Sequence, residues 1–108
     1  MAGTILISDD QGLAISTVEF DYLVECIRGS FLPEDQSVAE LVYEPLDEGG
    51  MTFISAVELD EHSYPIFAET VRRACATSRG AASFSRFEAR WKEFLEIIEQ
   101  DPRCKEKE

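Results

Sequence analysis

At 108 residues, with 22 acidic side chains against ten Lys and Arg, the chain has a formal net charge of −12 and is 44% hydrophobic. That size and apolar content fit one domain with a single core and exclude an acidic disordered tract, while the negative field disfavours nucleic acid and anionic membrane as direct partners. No run approaches the ~20 apolar residues of a membrane span, and "MAGTILISDD" lacks the basic start and apolar run of a secretory signal, so a soluble, cytoplasmic protein is expected.

The first predicted element is a strand near 4–8, "TILIS", followed by turn chemistry in "DDQG". "LAI" (13–15) is compatible with a returning strand or with a loop. Ser16-x-x-Glu19 matches a capping box, in which hydroxyl and carboxylate satisfy orphan N–H groups of a first turn. A helix near 17–29 follows, with Phe20, Leu23, Val24 and Ile27 as one buried stripe and Gly29 as its stop. Val18, Tyr22 and Cys26 form a second stripe, so this helix is expected to be contacted from two sides.

"VAELVYE" (38–44) carries conflicting signals. Ser37-x-x-Glu40 and the spacing of Val38, Leu41 and Val42 point to a helix. Pro45 disfavours helical geometry at Glu44 and leaves room for only one or two turns. The prediction is a strand, with Ala39, Leu41 and Tyr43 on one face and Val38, Glu40, Val42 and Glu44 on the other. "MTFISAVEL" (51–59) alternates as a second strand, which makes "PLDEGG" a hairpin connection whose glycines permit positive φ. A helix near 64–79 buries Tyr64, Phe67, Ala68, Val71, Ala74 and Cys75. Another near 86–100, with a third capping-box match at Ser85-x-x-Glu88, buries Phe87, Trp91, Phe94, Leu95 and Ile98. The expected fold is a single α+β domain over 1–101, a small, mostly antiparallel sheet packed with three helices, and a flexible polar tail over 102–108.

No motif carries a reaction. Asp47 and Glu58 have the outer spacing of an EF-hand loop, but Gly49 and Met51 stand at inner ligand positions and Thr52 where the turn needs glycine. The lone His62 has carboxylates and Ser63 beside it but no nucleophile signature. "EGGM" lacks the lysine and spacing of a phosphate loop. Cys26, Cys75 and Cys104 are odd in number and far apart, which fits a reducing compartment better than a disulfide framework. No cofactor, no metal and no catalytic residue are therefore predicted.

Charge distribution is the informative feature. Residues 1–71 carry 15 acids against Arg28 alone, a net of −14, whereas residues 72–108 carry nine bases and seven acids, a net of +2. A net charge of roughly 2–8 in magnitude suffices for solubility of a small domain, so the surplus points to a positively charged partner. The candidate partner-binding residues are Glu40, Tyr43, Glu44, Asp47, Glu48, Glu58, Asp60 and Glu61, from the predicted hairpin and its exit, with Phe53 as a second aromatic anchor. Arg72, Arg73, Arg79, Arg86, Arg90 and Lys92 form a basic cluster with Trp91 and Phe84, and these bases are read as facing acids of the same molecule.

In size, α+β pattern, acidity and absence of a catalytic signature, the chain resembles the small acidic immunity proteins of bacterial toxin systems, including those of contact-dependent growth inhibition. The resemblance is one of general character and assigns no residue. It implies a cytoplasmic binding protein that covers the active site or nucleic-acid surface of a basic toxin nuclease. A nucleic-acid-mimicking inhibitor of another DNA- or RNA-handling protein would carry the same charge. A small enzyme using carboxylates and His62 would need a pocket that raises a carboxyl pKa, and a homodimer could use the Val18–Tyr22–Cys26 stripe.

Overall fold

The computed structural model, which describes residues 2–105, folds β1 (Ala2–Ser8) against β2 (Gln11–Ser16) as an antiparallel hairpin. "LAI" is thus a returning strand. On its other edge β1 pairs in parallel with β3 (Phe53–Ser55), which gives the order β2-β1-β3. The α+β class stands, but the sheet is mixed instead of mostly antiparallel. Parallel neighbours need a crossover of a dozen or more residues, here built by α1 (Thr17–Arg28) and α2 (Gln36–Asp47).

α1 follows its local signals. Ser16 Oγ accepts from the Glu19 N–H and Glu19 Oε1 accepts from the Ser16 N–H, both at 3.2 Å, so the capping box is complete. Phe20, Leu23, Val24 and Ile27 are buried. The second stripe is also used: the Tyr22 ring stacks on Phe87 with centroids 3.9 Å apart, and its hydroxyl accepts from Trp91 Nε1 at 3.0 Å. Cys26 is half-buried against the core, while Val18 stays exposed.

The strand predicted at 38–44 is a correction: these residues lie inside α2, with Pro45 within the helix. Tertiary packing decides it. The helix buries Val38, Ala39, Val42 and Tyr43 together, and the Tyr43 hydroxyl donates to the Val24 carbonyl at 2.7 Å. A strand would have put Leu41 beside Tyr43 in the core, yet Leu41 is 47% exposed. Near the helix end, Pro45 removes one backbone donor without stopping the last turn. With no strand there, "PLDEGG" is a helix terminus and loop, not a hairpin.

The strand predicted over 51–59 shortens to 53–55 because Ala56–Leu59 turns, with the Leu59 N–H donating to the Ala56 carbonyl at 3.2 Å. α3 (Ser63–Ser78) and α4 (Phe84–Gln100) match the two predicted helices within two residues at each end. Neither Ser37 nor Ser85 caps a helix, since both lie inside one. Past Asp101 the chain forms a further helical turn, α5 (Pro102–Lys105), where a flexible tail was expected; residues 106–108 of that tail lie outside the described residues. One hydrophobic cluster joins sheet and helices, with Trp91, Tyr43, Tyr64, Phe67 and Phe94 its largest fully buried side chains.

Arg103 fastens this last turn to the body. Its guanidinium donates to the carbonyls of Ile7, Ala56 and Leu59 at 2.8, 3.0 and 2.6 Å, and to both Asp101 carboxylate oxygens at 2.8 and 2.9 Å. It also lies 4.1 Å over the Tyr64 ring. This one side chain ties the end of β1, the loop after β3 and the turn at Asp101 to the start of α3.

Candidate functional site

The C-terminal half of α2 and the short β3 lie side by side, and the two glycines between them set that geometry. Gly50 adopts φ +65°, the left-handed region that favours glycine. At Gly49 a Cβ would sit 3.0 Å from the Pro45 carbonyl oxygen, a close approach that would force that carbonyl to shift by a few tenths of an ångström. The Met51 N–H then donates to that same carbonyl at 3.0 Å and turns the chain back towards the sheet.

Between these elements runs a groove of about 460 Å³. Leu41, Pro45 and Phe53 supply its apolar lining, with Gly49 and Ser55, and Glu44, Glu48 and Glu58 stand along it. None of the lining residues is basic. Among the described residues no ion pair involves Glu44, Glu48 or Glu58, and all three are exposed. Glu40 is exposed one helical turn before Glu44.

The other predicted partner-binding residues are placed differently. Tyr43 is a core residue, and burial pushes its phenol above the ordinary range. Asp47 is held by Arg28 through two bonds of 3.0 and 3.1 Å, and this partner pulls its carboxyl pKa down. Arg28 in turn lies 4.2 Å over the Tyr43 ring. Asp60 caps α3, accepting from the N–H groups of Ser63 at 2.8 Å and His62 at 3.0 Å; the bonds to Ser63 first, then that to His62, lower its pKa. Glu61 borders a separate cleft with Asp60, His62 and Arg103. The structure therefore brings Glu44, Glu48 and Glu58 together along one groove, and it gives Tyr43, Asp47 and Asp60 hydrogen-bond partners within the chain.

Leu41, Pro45 and Gly49 line the groove but are not among the predicted partner-binding residues. Their signal was available: 41, 44, 45 and 48 follow the i, i+3, i+4, i+7 spacing of one helix face. That face stays hidden as long as the segment is read with a period of two.

Several bases do face acids of the same molecule. Arg90 pairs with Glu19 at 3.0 Å and with Glu93, and Arg72 pairs with Glu99 at 3.3 Å and Glu69 at 3.4 Å. Arg73 donates to the Ser30 carbonyl at 3.1 Å, tying α3 to the chain that leaves α1. Among the described residues no group of three or more His, Cys, Asp and Glu could hold a metal ion, and no helix is long and apolar enough to cross a membrane.

No protein-family model matches the chain. Among curated proteins, the immunity protein CdiI of Burkholderia pseudomallei is 42% identical over 103 residues, which span 95% of this chain and 94% of the relative. Among solved structures, the complex of the CdiA-CT toxin from Burkholderia pseudomallei E479 with its cognate CdiI immunity protein contains a chain that superposes with a TM-score of 0.93 at 41% identity. That match covers 95% of this chain and 99% of the other.

Proposed function

Because the chain belongs to the CdiI immunity-protein family, we propose that it binds a cognate CdiA-CT toxin domain and neutralises it. The observation that carries this reading is the match to a chain of a toxin–immunity complex over 95% of the present sequence. The protein acts by occupancy and is not an enzyme.

Charge supports a finer reading. The toxin domain is a basic nuclease acting in the cytoplasm, and the immunity protein covers its active site or nucleic-acid surface. Glu40, Glu44, Glu48 and Glu58 are exposed carboxylates outside every internal ion pair of the described residues. Held on a preformed surface, they can occupy positions that nucleic-acid phosphates would take, which speeds encounter and competes with substrate. A nucleic-acid-mimicking inhibitor of some other protein would share this charge, but the CdiI relation favours a toxin as the target.

The test is the double charge reversal Glu44→Lys with Glu48→Lys. Both side chains are exposed and unpaired, so the domain stays folded. Association with the purified toxin domain should slow by about tenfold or more at low salt, and the difference should shrink as salt rises. Unchanged association kinetics at low salt would remove this face from the interface. A toxin domain that degrades no nucleic acid would remove the nuclease reading while leaving the immunity reading intact.

A further inference from the structure

We propose that the groove between α2 and β3 is an anchor pocket for a bulky apolar side chain of the toxin domain, presented on a segment in which Lys or Arg flank that side chain. The proposal rests on the immunity reading and goes beyond it in specifying what the partner inserts and where.

Two features of the groove select this occupant. Its apolar part includes surface that packing within the chain leaves uncovered: Leu41, in its lining, is 47% exposed, and outside the lining Met51, two residues beyond Gly49, is 51% exposed. Exposed apolar surface bordered by polar groups is the composition of a protein-binding site. A volume of about 460 Å³ accommodates a large side chain. The flanking groups then restrict what carries that side chain. Glu44, Glu48 and Glu58 repel a phosphate or an acidic segment, and no lining residue offers a positive charge to hold one. A purely apolar segment would leave the three carboxylates facing desolvation without partners, which is costly. Basic residues on either side of an apolar anchor satisfy both halves.

The groove is also firmly built, which is what an anchor site needs. One wall is a helix fixed in the core by Val38, Val42 and Tyr43, and the other is paired to β1. The turn between them is tied by the bond from Met51 to the Pro45 carbonyl. A pocket that exists before binding loses little conformational entropy on association.

An anchor and a steering charge affect different rate constants, and that separates this proposal from the charge effect above. Leu41→Glu keeps the groove negative, so association with the purified cognate toxin domain should proceed at least as fast as for the unmodified chain. It removes apolar contact, so dissociation should be about tenfold faster or more. Val18→Glu, at a residue 54% exposed on α1, serves as the control and should change neither rate. Circular dichroism checks that α2 persists; if Glu at 41 disturbs it, Leu41→Ala keeps helix propensity and should still speed dissociation severalfold. Wild-type dissociation rates for folded Leu41 variants would overturn the anchor while leaving the immunity reading in place. Failure of the unmodified chain to bind the toxin domain would overturn the immunity reading and the proposed occupant together.

Discussion

At Arg103 the polar groups close on one another inside the molecule, whereas along the α2–β3 groove three carboxylates border apolar surface with no base among the lining residues. Both regions are charged, and both bring together residues distant in sequence. One places a cation among three carbonyls and a carboxylate that accept from it, so the charge stabilises the fold. The other leaves like charges adjacent, which costs the free protein self-repulsion that a positive partner would relieve. The number of charges in a region therefore says little about its role; what matters is whether the fold supplies their partners.

The widest separation between the two regions should appear on removing Arg103. The Arg103–Asp101 side chains are only 18% and 6% exposed. Arg103→Ala leaves the buried Asp101 carboxylate with the backbone N–H of residue 103 in place of the guanidinium, and the Ile7, Ala56 and Leu59 carbonyls without this donor, which should lower stability by about 3–5 kcal/mol in urea denaturation. Charge reversal at Glu44 and Glu48 should leave stability unchanged or slightly raised. If Arg103→Ala left the denaturation midpoint in place, the contrast would collapse.

The same pair sets an acid limb. The Arg103 hydrogen bond pulls the Asp101 carboxyl below its ordinary value of 3.8. A carboxyl depressed in the folded state stabilises fully above its unfolded value, and the contribution disappears as pH falls through the lower folded value. Asp101→Asn should therefore be less stable than the unmodified protein at neutral pH and converge with it at low pH. Denaturation midpoints measured across that range would show the curves meeting, and parallel curves would show that Asp101 is not the titrating group.

Tyr43 sharpens the comparison from within the site itself. By composition it belonged with the carboxylates as an interface aromatic, yet its hydroxyl is committed to Val24 inside the core. Tyr43→Phe removes that bond from a carbonyl within α1 and should cost about 0.5–1.5 kcal/mol, with toxin binding unaltered in surface plasmon resonance once the protein is folded. A binding defect without a stability defect would return Tyr43 to the interface.

These outcomes also show which parts were legible in the chain. Ser16 and Glu19 cap α1 because a capping box needs only residues three apart, and the stripes of α1, α3 and α4 repeat within a few turns. α2 was misread because the Pro45 signal is local, whereas what overrides it, burial of Val42 and Tyr43 against α1, is not. The misreading hid the groove, because Leu41, Glu44, Pro45 and Glu48 share a face only on a helix. Even so, Glu44, Glu48 and Glu58, three of the eight residues predicted from charge, line one groove, since acidity does not depend on the period. Arg103 was invisible for a different reason: three of its acceptors are backbone carbonyls, which any residue type supplies, at positions 44 to 96 residues away.

The smallest effect is expected at Asp47, and it isolates burial as the variable. Asp47 and Arg28 are joined by two bonds, as Asp101 and Arg103 are, but their side chains are 45% and 42% exposed. Water already solvates both partners, so the pair gains little from the contact and loses little on separation. Asp47→Asn should cost no more than about 0.2–1 kcal/mol, and the cost should diminish in high salt. Arg28 would stay stacked on Tyr43, which limits any rearrangement. A loss comparable to that of Arg103→Ala would mean that geometry alone, without burial, sets the strength of these pairs, and the division between fold-holding and partner-facing charge would have to be drawn elsewhere.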